Sequence, residues 1–464
     1  MSRFATLRAA FAEGRRRPIR IVGASGQLGY GVPTAAFEAA LARDPDMIGC
    51  DMGSLDIGPY YLGSGEMAVS RASARRDLRK VLLAARRLDI PLVIGSAGSA
   101  GAAPHLDGVL ELIREIAAED GLSFRLASIP ADIDREACIA AIEAGGVRSL
   151  DGMPELTAET VRGVTHLVAQ MGMEAFQRAF EAGADVIVAG RACDTGIFAA
   201  MPILLGFPEG LAIHLAKIVE CASVCCVPGG RDPILATLDD EGFELESMNP
   251  DRAATPSSVA AHSLYEQSDP FSILEPAGRV DLSEVTYAAL DARRTRAEGA
   301  RFVPTDRYCI KLEGAAALGH RSILLAASAD PSFIANTDEI AEGLEALVES
   351  LVCEGQEKDY RLIFRFYGKD GVRKPVVPHV EPGEIGVVVE CLAPTEARAT
   401  EVLRTAKQYL LHFGFPGRKS TAGNLAFPFT PPEIYAGRVY ELTVFHLMDI
   451  AAPEEVFPVR VEEV

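Results

Sequence analysis

No run of roughly eighteen or more purely apolar residues occurs in this chain, so nothing in it reads as a membrane-spanning helix. No Cys-x-x-Cys occurs either. The nine cysteines are odd in number, scattered and partly set in apolar runs, which fits reduced thiols better than a disulfide framework. The cluster Cys221, Cys225, Cys226 lacks a second pair or nearby histidines, so a structural zinc is not expected there. Basic residues fall short of acidic ones, giving a formal charge of −20, and this argues against nucleic acid or an anionic membrane as a partner. It leaves an anionic substrate open, since a local cation or a helix N-terminus can bind one. Arg15-Arg16-Arg17 is followed by Pro18 and a core strand rather than an apolar signal core, and a cytoplasmic location is expected.

With 464 residues, 48% of them apolar and 24% charged, the chain is expected to form at least two globular domains. Strand-like segments fall at 19–23, 47–51, 92–96, 124–129 and 185–190, with a weaker one at 147–150. Amphipathic helices fit between them at 34–42, 72–88, 106–119, 135–144 and 174–182. Strands alternating with helices predict an α/β domain over 1–330, built on a doubly wound, mostly parallel sheet with helices on both faces. The irregular unit lengths favour that open sheet over a closed eight-fold barrel. From 331 to 464 the strand–helix–strand pattern predicts a smaller α+β domain.

Three strand-to-loop junctions end in glycines and small polar residues: 21–31, 47–56 and 93–101. Such endings are expected where parallel strands deliver their carboxyl ends to a ligand site. Gly23-x-x-Gly26-x-x-Gly29 has the glycine spacing of some dinucleotide loops. Its helix, however, is predicted to start only at Pro33, too late to present its amides to a pyrophosphate. No tyrosine has a lysine four residues later, and no Gly-Lys-Ser/Thr ending marks a phosphate loop. A nicotinamide-dependent oxidoreductase is therefore the alternative rather than the leading reading.

In Gly190-Arg191-Ala192-Cys193-Asp194-Thr195 a buried strand ends in an Arg, a thiol and an Asp. Arg191 there suits bidentate capture of a carboxylate; the blander reading is that Asp194 caps a helix and pairs with Arg191. On a helix, Lys217, Glu220 and Cys221 would share one face, fit for proton transfer or for an ordinary ion pair beside a buried thiol. His262, Tyr265, Glu266 and Asp269 crowd a loop-like segment, and Lys311 and Glu313 fall on one side of a strand.

The loop Asp51-Met52-Gly53-Ser54, the segment 183–195, Lys217-Ile218-Val219-Glu220-Cys221, His262-Ser263-Leu264-Tyr265-Glu266 and Ala422-Gly423-Asn424-Leu425-Ala426-Phe427-Pro428 together resemble the acyclic terpene utilisation protein AtuA family. That family has no generally established catalytic residues, so the resemblance assigns none. It implies catabolism of branched acids and their CoA thioesters, in some members beside a small separate protein. The first loop departs from the terpene-pathway branch, so a terpene-derived substrate is not implied.

These readings converge on a lyase, a hydratase or dehydratase, acting on a small di- or tricarboxylic acid or its CoA thioester. Arg191 is the expected carboxylate clamp. Asp51, Asp194, Glu220 and His262 are the candidate acids and bases, with Lys217 and Cys221 beside them. Ser25 and Gly26, and Ser96, Gly98 and Ser99, are expected to offer donors to an enolate oxygen, and Ser54 and Tyr265 to touch substrate. No redox cofactor is expected; a divalent metal such as Mg²⁺ on Asp51 and Asp194 is possible chemistry. A homo-oligomer is expected. A non-catalytic scaffold binding a small partner subunit is the reading from another class.

Overall fold

A computed structural model describes residues 3–265, 267–372, 382–419 and 424–464. The chain divides into two compact units, Met1–Ala316 with Leu442–Val464, and Ala317–Glu441.

In the first unit the expected strands form at Ile19–Ser25, Met47–Asp51, Leu92–Gly95, Arg125–Ile129 and Val186–Ala189. They are parallel and lie side by side, with Val186–Ala189 inserted between Leu92–Gly95 and Arg125–Ile129. An antiparallel run from Ile234–Leu238 to Thr286–Ala289 extends the sheet past Ile19–Ser25, and Arg460–Glu463 closes the other side. This makes ten strands among the described residues. The sheet is open and mixed α/β, with the parallel strands at its centre.

Side chains alternate across each strand, so each face meets its own helices. Ile48, Cys50, Ile94 and Val188 pack with Phe37, Leu78, Val81, Leu82, Val109 and Ile113 of the helices Thr34–Leu41, Arg71–Leu88 and Ala103–Asp120. Each of these large apolar side chains contributes roughly 1.5–3 kcal/mol by leaving water. Arg71–Leu88 begins where the Ser70 hydroxyl accepts from the Ser73 amide, and ends at Asp89 in the left-handed region with φ 54°. The opposite face is paved with glycine. A methyl on Gly49 would lie 2.2 Å from the Phe198 ring, one on Gly95 2.3 Å from Ile197, and one on Gly23 2.6 Å from Val219. The helices Asp194–Leu204 and Glu209–Val219 thus settle close against bare backbone. The same approach gives a physical use to the glycines of the 23–29 turn that does not involve a nucleotide. No helix among the described residues is long and apolar enough to cross a membrane. The nine cysteines are all free thiols.

In the second unit, Arg361–Tyr367 and the later part of Cys309–Ser328 flank Ile385–Ala393, all antiparallel. The helices Thr337–Val352 and Glu396–His412 supply Ile340, Leu344, Val402 and Leu403 to a core with Leu324, Val387 and Val389.

Within the first unit, His214 sits in the middle of Glu209–Val219 and is fully buried. Its Nε2 lies 3.0 Å from the Ser263 hydroxyl and 3.2 Å from the Tyr287 hydroxyl. Burial pulls its pKa down to about 3 from 6.5, so the ring is neutral in the fold. As pH falls below 6.5 the unfolded chain takes up this proton first, and stability is lost until the folded value is reached. We expect His214→Gln to flatten that loss, which for one such group is about 1.4 kcal/mol per pH unit. Urea unfolding of both proteins at neutral and mildly acid pH measures it; identical slopes would count against a neutral His214.

Candidate functional site

A cavity of about 590 Å³ opens in the first unit at the carboxyl ends of Met47–Asp51 and Val186–Ala189, with the turn after Ile19–Ser25 on its wall. Asp51 ends its strand and turns back on itself: its Oδ2 accepts from the Gly53 amide at 2.8 Å, while its Oδ1 is buried without a hydrogen-bond partner. Asp194 opens the helix that follows Val186–Ala189, and its Oδ1 is likewise without one. Glu220 terminates Glu209–Val219. Its Oε1 accepts from Lys217 Nζ at 2.5 Å, and Cys221 Sγ lies 3.9 Å from the same oxygen. Helical spacing places Lys217 and Glu220 together, as expected of residues three apart.

Asp194 and Glu220 line the same cavity, and two ionised carboxylates there repel one another. Burial, then the Asp194 charge, pushes Glu220 well above the ordinary carboxylate range, against the pull of Lys217. Asp51 is raised for the same two reasons, against the Gly53 amide and Arg191. A further acid faces the cavity: Glu275, the last residue of the strand Ser272–Glu275. Its Oε1 accepts from the Thr195 hydroxyl at 2.7 Å and its Oε2 has no hydrogen-bond partner. Burial raises it to about 7, with the Thr195 bond opposing.

Arg191 lines the cavity, but the fork expected to clamp a substrate is engaged within the protein. Nε and Nη2 donate to the two oxygens of Glu313 at 2.7 and 3.3 Å, and Nη1 donates to the Ser96 hydroxyl at 3.2 Å. Lys311 Nζ joins the same carboxylate at 3.2 Å. Burial alone would raise Glu313; Arg191 and Lys311 outweigh it and hold it below its usual value.

Of the residues singled out in the sequence, Asp51, Asp194, Lys217, Glu220 and Cys221 meet at this cavity with Gly26, Ser54, Arg191 and Tyr265. His262 does not reach the wall: it is buried, its ring stacked at 5.4 Å on that of Tyr265. Ser25 accepts from the Gln27 amide at 3.1 Å and faces a smaller neighbouring cavity of about 200 Å³. The donors expected from the third loop are already committed. The Ser96 amide bonds to Gly190 O, that of Gly98 to Met52 sulfur, and that of Ser99 to Ser96 O, while the Ser99 hydroxyl donates to Ser54 O. Ser96 and Ser99 hold φ of 47° and 90°, so this loop carries backbone strain in supporting Arg191 rather than in meeting a ligand. Glu266 and residues 420–423 lie outside the described residues.

Glu275 and Gln170 are cavity residues that sequence reasoning did not select. The one available signal for Glu275 was an acid closing an otherwise apolar segment, Ile273-Leu274, just before Pro276. Among the described residues no group of three or more His, Cys, Asp or Glu is placed to hold a metal ion. Asp51 and Asp194 therefore lack a third ligand of those types for the Mg²⁺ considered above, and no step is routed through a metal here.

Gly26 ties the first loop to this wall. A methyl on it would lie 2.7 Å from the Glu220 carbonyl oxygen and 3.0 Å from Cys221 Cα. Gly26→Ala is expected to destabilise by about 1–3 kcal/mol, because backbone atoms must shift to admit the methyl. The shift carries Glu220 with it, so ligand affinity should fall alongside stability. Urea unfolding and calorimetry on the variant check both; unchanged affinity would detach Glu220 from the site.

No curated protein and no solved structure matches the chain. Residues 19–226, which carry Asp51, Arg191, Asp194, Lys217 and Glu220, match the model of the acyclic terpene utilisation family protein AtuA.

Proposed function

We propose that the protein is a hydro-lyase, adding or removing water on a carboxylic acid or its CoA thioester. The observation that carries this reading is the trio Asp51, Asp194 and Glu220 around one cavity, with Asp51 and Glu220 held toward their protonated forms beside the Asp194 charge. Dehydration needs a base for the proton α to the carbonyl and an acid for the departing hydroxyl, and carboxyl groups crowded around one cavity, some held protonated, suit that division. In this reading Asp194 takes the α-proton. The C–H electron pair becomes the new C=C bond, the C–O pair leaves with the hydroxyl, and Glu220 protonates it to water. After product leaves, Asp194 releases its proton and Glu220, held in place by Lys217, takes one up again, while Asp51 supplies a second neutral donor toward the developing enolate oxygen. Arg191 and Lys311 contribute positive charge at the wall rather than a direct clamp.

The test is a mass-spectrometric screen of 2- and 3-hydroxy acids, their unsaturated counterparts and the CoA thioesters of both, in water enriched in heavy oxygen. Incorporation of the label into hydroxy products is the expected result. Reduction of added NAD or NADP by the same acids, without label, would overturn it in favour of an oxidoreductase.

A further inference from the structure

A second cavity of about 660 Å³ adjoins the carboxyl-lined one, and Gln170, Cys193, Leu274, Glu275 and Lys311 line both. The shared residues make a common threshold, with Glu275 and Lys311 its polar gateposts. Beyond it the lining changes character. Leu150, Pro276, Val303, Pro304 and Leu447 give it apolar walls. Three arginines, Arg148, Arg279 and Arg307, also line it. Arg148 Nη1 lies 2.8 Å and Arg307 Nη1 3.5 Å from the same Asp449 oxygen, so two guanidinium groups share one carboxylate. Arg279 Nη1 is 3.9 Å from Asp281, too long for a strong pair. The rim therefore keeps an excess of positive charge, on side chains whose planar forks match carboxylates and phosphates.

We propose that the second cavity binds the unreactive part of the substrate, an apolar segment ending in an anionic group, carboxylate or phosphate, held at Arg148, Arg279 and Arg307. This rests on reading the carboxyl-lined cavity as the reaction chamber, which the carbonyl end of the same molecule enters past Glu275 and Lys311. A ligand filling only the first chamber would leave apolar walls of the second against water, whereas ligand sites bury most of their occupant against such walls. The proposal narrows the substrate class from small polyacids to longer amphiphilic anions.

Calorimetric titration of the full chain with succinate, octanedioate, phosphonoacetate and 8-phosphonooctanoate tests it. Octanedioate or 8-phosphonooctanoate is expected to bind at least about tenfold more tightly than succinate and than phosphonoacetate. If octanedioate is the tighter of the two, the terminal anion is a carboxylate; if 8-phosphonooctanoate, a phosphate. Arg279→Ala combined with Arg307→Ala changes two exposed side chains and should weaken the favoured probe by about tenfold or more. Val303→Trp, which fills the apolar wall, should weaken it as well. In Glu220→Gln the probe should still bind; chain binding in a parent protein that hydrates none of the acids or thioesters would reject the hydro-lyase reading and leave the second cavity's role standing. Affinity independent of chain length, or unaltered in the double arginine variant, would overturn the proposal.

Discussion

Glu220→Gln and Asp51→Asn should each lower turnover by about 10²–10³-fold while leaving the fold at least as stable as the parent at neutral pH. The reason lies in burial. Both carboxyl groups sit where their charged forms are disfavoured, first by lost hydration and then by the Asp194 charge. An amide keeps the shape, removes the ionisation and ends the repulsion. In the parent, the fold holds these protons more tightly than the unfolded chain does. Their contribution to stability is therefore present at acid pH and lost as pH rises from the ordinary carboxyl range through the raised values. The variants should lack that decline. Activity that needs a protonated Glu220 is lost at the upper end of the same range, so kcat/KM should fall by half near the pH at which the decline in urea-unfolding stability levels off. Retained turnover in Glu220→Gln would remove it as the acid.

Glu313→Ala is expected to be the most damaging single change to the fold, at about 3–5 kcal/mol, because it leaves Arg191 buried and uncompensated. Arg191 and Glu313 side chains are 5% and 2% exposed, so little water reaches the charge. Replacing both, as Arg191→Met with Glu313→Leu, should restore much of the loss, since well-packed apolar pairs often equal a buried ion pair. Denaturant midpoints at constant slope give the comparison. A loss below about 1 kcal/mol in Glu313→Ala would mean that the pair is solvated like a surface bridge.

The parallel strands were legible because each is a short apolar run closed by glycine or a small polar residue, as in Val186-Ile187-Val188-Ala189-Gly190. The antiparallel flank was harder to see: strands such as Gly242–Ser247 and Arg294–Glu298 alternate charged with apolar residues and resemble loops. A single boundary at 330 suited the change of pattern along the chain. The long strands Cys309–Ser328 and Glu433–Asp449 instead carry the chain between units, and the last residues belong with the first. At the site, Lys217 and Glu220 were visible through helical spacing. The engagement of Arg191 by Glu313 was not, because the two are separated by 122 positions and only the fold brings them together. Nor could sequence tell that the Ser96 amide is spent on Gly190 and that of Ser99 on Ser96, since a glycine-rich turn reads alike whether its donors point inward or outward.

The bare sheet face beneath Asp194–Leu204 and Glu209–Val219 works as a row of sockets. Phe198 and Ile197 are pegs seated over Gly49 and Gly95, and Val219 is the peg over Gly23. A helix lying on ordinary side chains can slide by a fraction of a turn as they change rotamer. One pegged into glycine sockets cannot, because the fit is with backbone that has nowhere to go. Asp194 begins one pegged helix and Glu220 ends the other. The spacing between Asp194 and Glu220 is thus gauged by aromatic and aliphatic side chains seated on the far side of their helices.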